Sequence, residues 1–135
     1  MDHYAVVDLG TNSARLMIAH LESGRVVSDL KTLRMVRIGE GMVDQRRIVP
    51  AATARAAQAL DEFQDIARQY GTGSRFYCFG TSAVREAENR EEFLNDIRRE
   101  CGIDIDVISG EREASLGFAG SVEGYGGMID IGGGS

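Results

Sequence analysis

The stretch AVVDLGTNSAR, residues 5–15, decides how the rest of the chain is read. Ala5, Val6 and Val7 form an apolar run that leads into a carboxylate, Asp8, then Leu9 and Gly10, then Thr11, Asn12 and Ser13. A buried strand that ends on an acid and a glycine places polar chemistry at its terminus. Gly10 is free to take a positive φ and lets a ligand approach the backbone closely. The N–H groups and hydroxyls of Thr11, Asn12 and Ser13 form a concave donor surface suited to phosphate oxygens. Asp8 by itself repels a phosphate, so its use beside one is to hold Mg²⁺, directly or through water. A turn with a capping Asp is the plainer reading of the same residues taken alone.

The last eight residues, 128–135, read MIDIGGGS and align on residues 6–13, VVDLGTNS. Asp8 falls on Asp130, Leu9 on Ile131, Gly10 on Gly132 and Ser13 on Ser135, with Gly133 and Gly134 between. One such loop is a weak signal. Two copies at opposite ends of a chain point to a duplicated fold whose halves face each other across a ligand.

The chain of 135 residues is the size of one domain, and its 43% hydrophobic and 27% charged residues are ordinary for a soluble globular protein. No apolar run approaches the ~20 residues that span a bilayer. The N-terminus lacks a basic region followed by an apolar stretch and a cleavage site, so secretion is not expected. Cys78 and Cys101 lie far apart and outside any CxxC pair, and His3 and His20 are isolated, so no zinc site is visible. A reduced, cytoplasmic setting fits. The net charge of −6 argues against a protein that coats nucleic acid. It leaves room for a polyanionic substrate, because a local cluster drawn from Arg15, Arg34, Arg37, Arg85, Arg90 and Arg112 can outweigh the overall charge.

Beyond the first loop, residues 16–20 and 26–36 are β-capable and flank a Glu22-Ser23-Gly24 turn, which predicts an antiparallel hairpin or meander with residues 4–9. The alternation from Arg34 to Ile38 predicts a half-exposed strand. Gly39-Glu40-Gly41 breaks it, as a connection or as a loop bordering a site. Pro50 opens a helix over 51–70, stopped by Gly71, that buries Ala56, Leu60, Phe63, Ala67 and Tyr70. Residues 75–79, RFYCF, read as a buried parallel strand with Cys78 as a small core residue.

Gly80-Thr81-Ser82 then opens a helix, and donors at a helix N-terminus favour anions. Arg85, near the end of the first turn, has the planar fork that grips phosphate oxygens bidentately. Capping residues beside a surface arginine are the alternative. Asn89 and Glu92 have capping-box spacing, and their helix buries Phe93, Ile97 and Cys101 before Gly102. Residues 103–108 alternate as a strand, and Ser109-Gly110 leads into a helix to about residue 121. Glu113 lies on its glycine-lined stripe with Gly117 and Gly120. Residues 124–127 form a plausible boundary. The chain then stops inside the second loop, as the first portion of a longer protein would.

The order is thus an antiparallel meander followed by βα units, with DLGTNS, GTSAVREAEN, SGEREA and DIGGGS at the strand ends. Taken together these segments resemble the exopolyphosphatase / guanosine pentaphosphate phosphohydrolase family, within the actin-like ATPase superfamily of ribonuclease H-like folds. The resemblance covers nearly the whole chain. It implies an α/β fold with a mixed sheet, residues 1–125 forming a first ribonuclease H-like domain and 126–135 the first strand and phosphate loop of a second. It also implies Mg²⁺-dependent hydrolysis of terminal phosphate from polyphosphate, or of the 5′-phosphate of guanosine pentaphosphate, a substrate of the stringent response. Carried over, Gly10, Thr11, Asn12 and Ser13 line one phosphate loop and Gly132, Gly133, Gly134 and Ser135 the other. Arg85 grips substrate phosphate, Glu113 activates the attacking water, and Asp8 and Asp130 are the acids associated with Mg²⁺. A homodimer is expected of the full-length protein, with no nucleic-acid partner, and the chain alone is expected to hydrolyse little. An actin-like ATPase or kinase, or a non-catalytic domain binding guanosine tetra- or pentaphosphate, are the alternatives.

Overall fold

A computed structural model describes residues 2–111. Five strands, three α-helices and a 3₁₀ turn follow one another over these residues: β1 (His3–Leu9), β2 (Ser13–Glu22), β3 (Arg25–Met35), the turn Ile38–Gly41, α1 (Pro50–Gln69), β4 (Phe76–Gly80), α2 (Ser82–Glu86), α3 (Arg90–Cys101) and β5 (Asp106–Val107). The strands form one sheet in the order β3-β2-β1-β4-β5. β1, β2 and β3 make the expected antiparallel meander, and β4 and β5 add in parallel beside β1. No helix among the described residues is long and apolar enough to cross a membrane.

The apolar run that starts β1 is explained by its central place, since a strand between two neighbours with both faces covered has no polar side. Ala5, Val7 and Leu9 face the main core, where they meet Ala56, Leu60 and Phe63 of α1 and Phe93 and Ile97 of α3. Val6 turns the other way, into a smaller cluster with Met17, Ala19, Phe79 and Ile108. Phe63 is fully buried, and truncating such a ring to alanine typically costs about 3–5 kcal/mol. β3, at the sheet edge, leaves Leu33 and Met35 exposed. Pro50 stands at the first turn of α1 as expected, and Gly71 follows with φ +70°, a backbone angle that costs glycine little.

Three expectations are corrected. The half-exposed strand read through Ile38 ends at Met35. There the N–H groups of Val36 and Arg37 both donate to the Asn12 carbonyl, each at 3.0 Å, and Arg37 takes a positive φ of 48°. The chain is thereby pulled towards the loop after β1 and out of the ladder. The strand read over 103–108 has only Asp106 and Val107 in the ladder, opposite Phe79 and Gly80. Ile103 and Ile108 are buried all the same, so the alternation reported burial rather than pairing.

The third correction concerns Asn89, whose side chain makes no capping bond to α3. Its carboxamide grips the backbone of Ile48 instead: Oδ1 accepts from the Ile48 N–H at 2.8 Å, and Nδ2 donates to the Ile48 carbonyl at 2.9 Å. The Glu88 N–H donates to the Arg46 carbonyl at 2.8 Å, a second tie to the same connection. A long-range contact thus wins over the local cap. The helix expected over 111–121, the boundary at 125/126 and the second loop lie outside the described residues, apart from Glu111 itself, which is helical.

Candidate active site

Parallel pairing of β1 with β4 sets Leu9 opposite Gly80, so the two strands end at one level and their loops emerge side by side. Thr81 closes this junction. Its N–H and its hydroxyl both donate to the Leu9 carbonyl, at 3.2 and 3.3 Å. The hydroxyl therefore does not cap α2, which is only five residues long and has no side-chain cap. The helix N-terminus expected after Gly80 is accordingly a small feature. The junction has a different consequence: Thr11 Oγ1 and Ser82 Oγ stand 3.0 Å apart. Two loops separated by 71 positions share one hydroxyl pair.

The loop of residues 10–12 is braced on three sides. The Gly10 N–H donates to the Ser13 carbonyl at 3.0 Å. Gly10 keeps its φ outside the left-handed region, contrary to the positive angle its freedom allowed, and a Cβ there would stand 3.2 Å from that same oxygen. Its missing side chain serves a tight turn. The Asn12 carbonyl accepts from Val36 and Arg37, and the Thr11 carbonyl accepts from the Gly39 N–H at 3.1 Å. The Gly39-Glu40-Gly41 segment therefore borders the site. Sequence alone left that open.

Asp8 is half-buried at the end of β1 with Oδ1 enclosed. It faces away from α1, directly across from Arg15 on β2 and beside Phe79 on β4. Asp106 of β5 pairs with Phe79 on the same row, so a second acid shares the sheet face of Asp8. Asp106 carries no local signal of this role, because its place depends on which strand joins the edge. Burial, and after it the charge of Asp8, hold the Cys78 thiol well above the ordinary range, so Cys78 stays neutral in the core.

Arg85, in the last turn of α2, points to the end of β5, where Nη1 donates to the Ile108 carbonyl at 2.8 Å. Its Nε lies 3.7 Å from Glu86 Oε1, and its Nη2 would be 3.8 Å from a Cβ on Gly110. The guanidinium thus meets the start of the SGEREA segment. Thr11, Ser82 and Arg85 are gathered at one end of the sheet, with Asp8 at the tip of β1. Glu113, Asp130, Gly132, Gly133, Gly134 and Ser135 lie outside the described residues.

This architecture and these loops match proteins already known. A model of the Ppx/GppA phosphatase family matches residues 17–135. Exopolyphosphatase 2 of Mycobacterium tuberculosis is 33% identical over 146 residues, covering 97% of this chain and 46% of that protein. The crystal structure of an exopolyphosphatase from Cytophaga hutchinsonii superposes with a TM-score of 0.82 at 32% identity, over 89% of this chain and 38% of that one. The type II variant of the Aquifex aeolicus Ppx/GppA phosphatase does so with a TM-score of 0.81 at 29% identity, over 90% and 41%. The chain spans less than half the length of each of these relatives. Such likeness at high structural agreement fixes the fold as the mixed α/β architecture of actin-like ATPases, and on these matches the chain belongs to the Ppx/GppA phosphatase family.

Proposed function

We propose that this chain forms one wall of a phosphate-binding cleft in a phosphoanhydride hydrolase. Its substrate is inorganic polyphosphate, the 5′-phosphate of guanosine pentaphosphate, or both. The observation that carries the reading is the Thr11–Ser82 hydroxyl pair at 3.0 Å, with Arg85 one helical turn from Ser82. Hydroxyls and a guanidinium gathered at the ends of two parallel strands suit the oxygens of a phosphate chain.

Phosphoryl transfer asks mainly for alignment, charge neutralisation and an oriented nucleophile. In this reading Gly10, Thr11, Asn12 and Ser13 align the terminal phosphate from one side, and Gly132, Gly133, Gly134 and Ser135 from the other. Arg85 brings its guanidinium to the phosphate from its place beside the Ile108 carbonyl. Glu113 accepts a proton from the attacking water. The enclosed carboxylate oxygen of Asp8, two positions before the turn, is a hard donor of the kind that Mg²⁺ takes. Asp8 and Asp130 would hold that ion, which supplies positive charge to the phosphate oxygens when bound.

The test is phosphate release from each substrate by the full-length protein, with and without Mg²⁺, in Glu113→Gln and Arg85→Lys variants. The Gln variant should bind substrate but lose turnover by roughly 10²–10⁴-fold, the usual worth of a general base. The Lys variant keeps the charge but not the planar fork, so its KM should rise strongly. Near-normal turnover in the Gln variant would remove Glu113 from the chemistry, and unchanged constants in the Lys variant would remove Arg85.

A further inference from the structure

At the far end of β1 from Asp8, the antiparallel register sets His3 directly opposite His20. The two rings meet edge to face with centroids 5.6 Å apart, and Tyr70, at the end of α1, stands 5.5 Å from His3. β3 contributes the third member through an irregularity. Ile18 pairs with Leu30 and Ala19 with Ser28, so Asp29 is the extra residue of a β-bulge. A bulge re-aims one side chain out of the ordinary alternation. Here it brings Asp29 Oδ2 within 2.6 Å of His20 Nδ1 and 3.5 Å of His3 Nε2. One donor atom from each of His3, His20 and Asp29 lies within 4.8 Å of the other two.

We propose that His3, His20 and Asp29 form a site for a divalent transition-metal ion of the zinc class, with Glu22 as the residue that orients His20. Two imidazoles and a carboxylate are the donor set that such ions take in preference to Mg²⁺. A tetrahedral zinc site needs ligand atoms about 3.3 Å apart, given bonds of about 2.0–2.1 Å. The His3–Asp29 distance of 3.5 Å already has that spacing, and the 2.6 Å His20–Asp29 contact must open. Glu22 Oε2 lies 2.7 Å from His20 Nε2. It therefore holds a proton on Nε2 and leaves the Nδ1 lone pair for the metal, the arrangement that carboxylates impose on metal-bound histidines.

Charge agrees as well. Two neutral imidazoles with Asp29 and Glu22 carry two negative charges, which a divalent cation balances. β1 separates this cluster from Asp8 by five residue steps, about 17 Å at a strand's rise, so the site is distinct from the proposed phosphate site.

The deciding experiment is calorimetric titration of the protein with ZnCl₂ at pH 7.5 in excess Mg²⁺, together with visible spectra of the Co²⁺ form. One ion per chain is expected, with the intense bands of a low-symmetry four-coordinate site. Asp29→Asn and His3→Ala should each weaken binding at least tenfold, and Glu22→Gln by about 10–100-fold, as for other orienting carboxylates. His3 and Asp29 are each only partly buried, so these variants test the site without emptying the core. An Asp8→Asn variant should bind zinc as the parent does. Absence of binding, or binding unchanged by both His3→Ala and Asp29→Asn, would overturn the site and leave a hydrogen-bonded cluster of His20 with its two carboxylates. Neither result bears on phosphate hydrolysis, which is read separately by the Glu113 and Arg85 variants.

Discussion

Gly39→Ala probes how tightly the loop after β1 is held. A Cβ at residue 39 would stand 2.6 Å from Thr11 Cγ2, with Thr11 O at 3.8 Å and Thr11 Cβ at 4.0 Å as its next neighbours. The conflict is therefore with one methyl group. The φ of Gly39 lies outside the left-handed region, so an alanine there is not itself strained. By narrowing the unfolded ensemble it should even stabilise, by about 0.4–1 kcal/mol. Overpacking acts the other way, typically by about 1–3 kcal/mol. It should win here, because Thr11 Cγ2 and Oγ1 share one Cβ: the methyl cannot swing away without taking the hydroxyl from Ser82.

The expected net loss is about 1–2 kcal/mol. With a urea slope of about 2 kcal/mol/M, the midpoint should fall by about 0.5–1 M while the slope stays unchanged. Thr11→Ser deletes the offending methyl and keeps the hydroxyl. Alone it should cost less than the ~0.8 kcal/mol of a fully buried methyl, since Thr11 is half-buried. The double variant should then recover most of the Gly39→Ala loss, a favourable coupling of about 1–2 kcal/mol in the cycle. Urea melts followed by circular dichroism measure all four proteins. A Gly39→Ala variant as stable as the parent, or a double variant that loses the sum of the two singles, would refute this account of the loop.

Asn89→Asp separates long-range from local explanations. Cap preference ranks Asp with Asn and expects no loss, whereas the grip on Ile48 loses its donor and leaves a buried carbonyl facing a carboxylate, which should cost about 1–3 kcal/mol in the same urea assay. Thiol chemistry reports the core. Burial first, then Asp61, pushes Cys101 up to about 12 from an ordinary 9.0, so at pH 8 the folded protein should react with a thiol reagent roughly 10³-fold more slowly than the urea-unfolded chain. Both thiols stay protonated in the fold after the unfolded chain has begun to ionise, so stability should fall as pH rises above about 9, and a stability flat from pH 8 to 11 would contradict the burial described.

Periodicity and turn chemistry are local properties, and they placed most of the elements. The apolar run Ala5-Val6-Val7, the Pro50 start and Gly71 stop of α1, and the aromatic run before Gly80 all appear in the structure as read, in a mixed sheet with the expected meander. The motif order also disclosed the family. What the chain alone could not disclose depends on register and on which strand ends meet. Thr11 finds Ser82 because β1 and β4 finish together, Asn89 abandons its cap because Ile48 is within reach, and Gly39 borders the site because Arg37 turns the chain under Asn12. The histidines show this most plainly. His3 and His20 stand 17 positions apart and read as isolated, yet the β1–β2 register sets them directly opposite each other and a one-residue bulge in β3 aims Asp29 at both. No local pattern encodes a bulge's placement, because it follows from packing a whole edge strand against its neighbour.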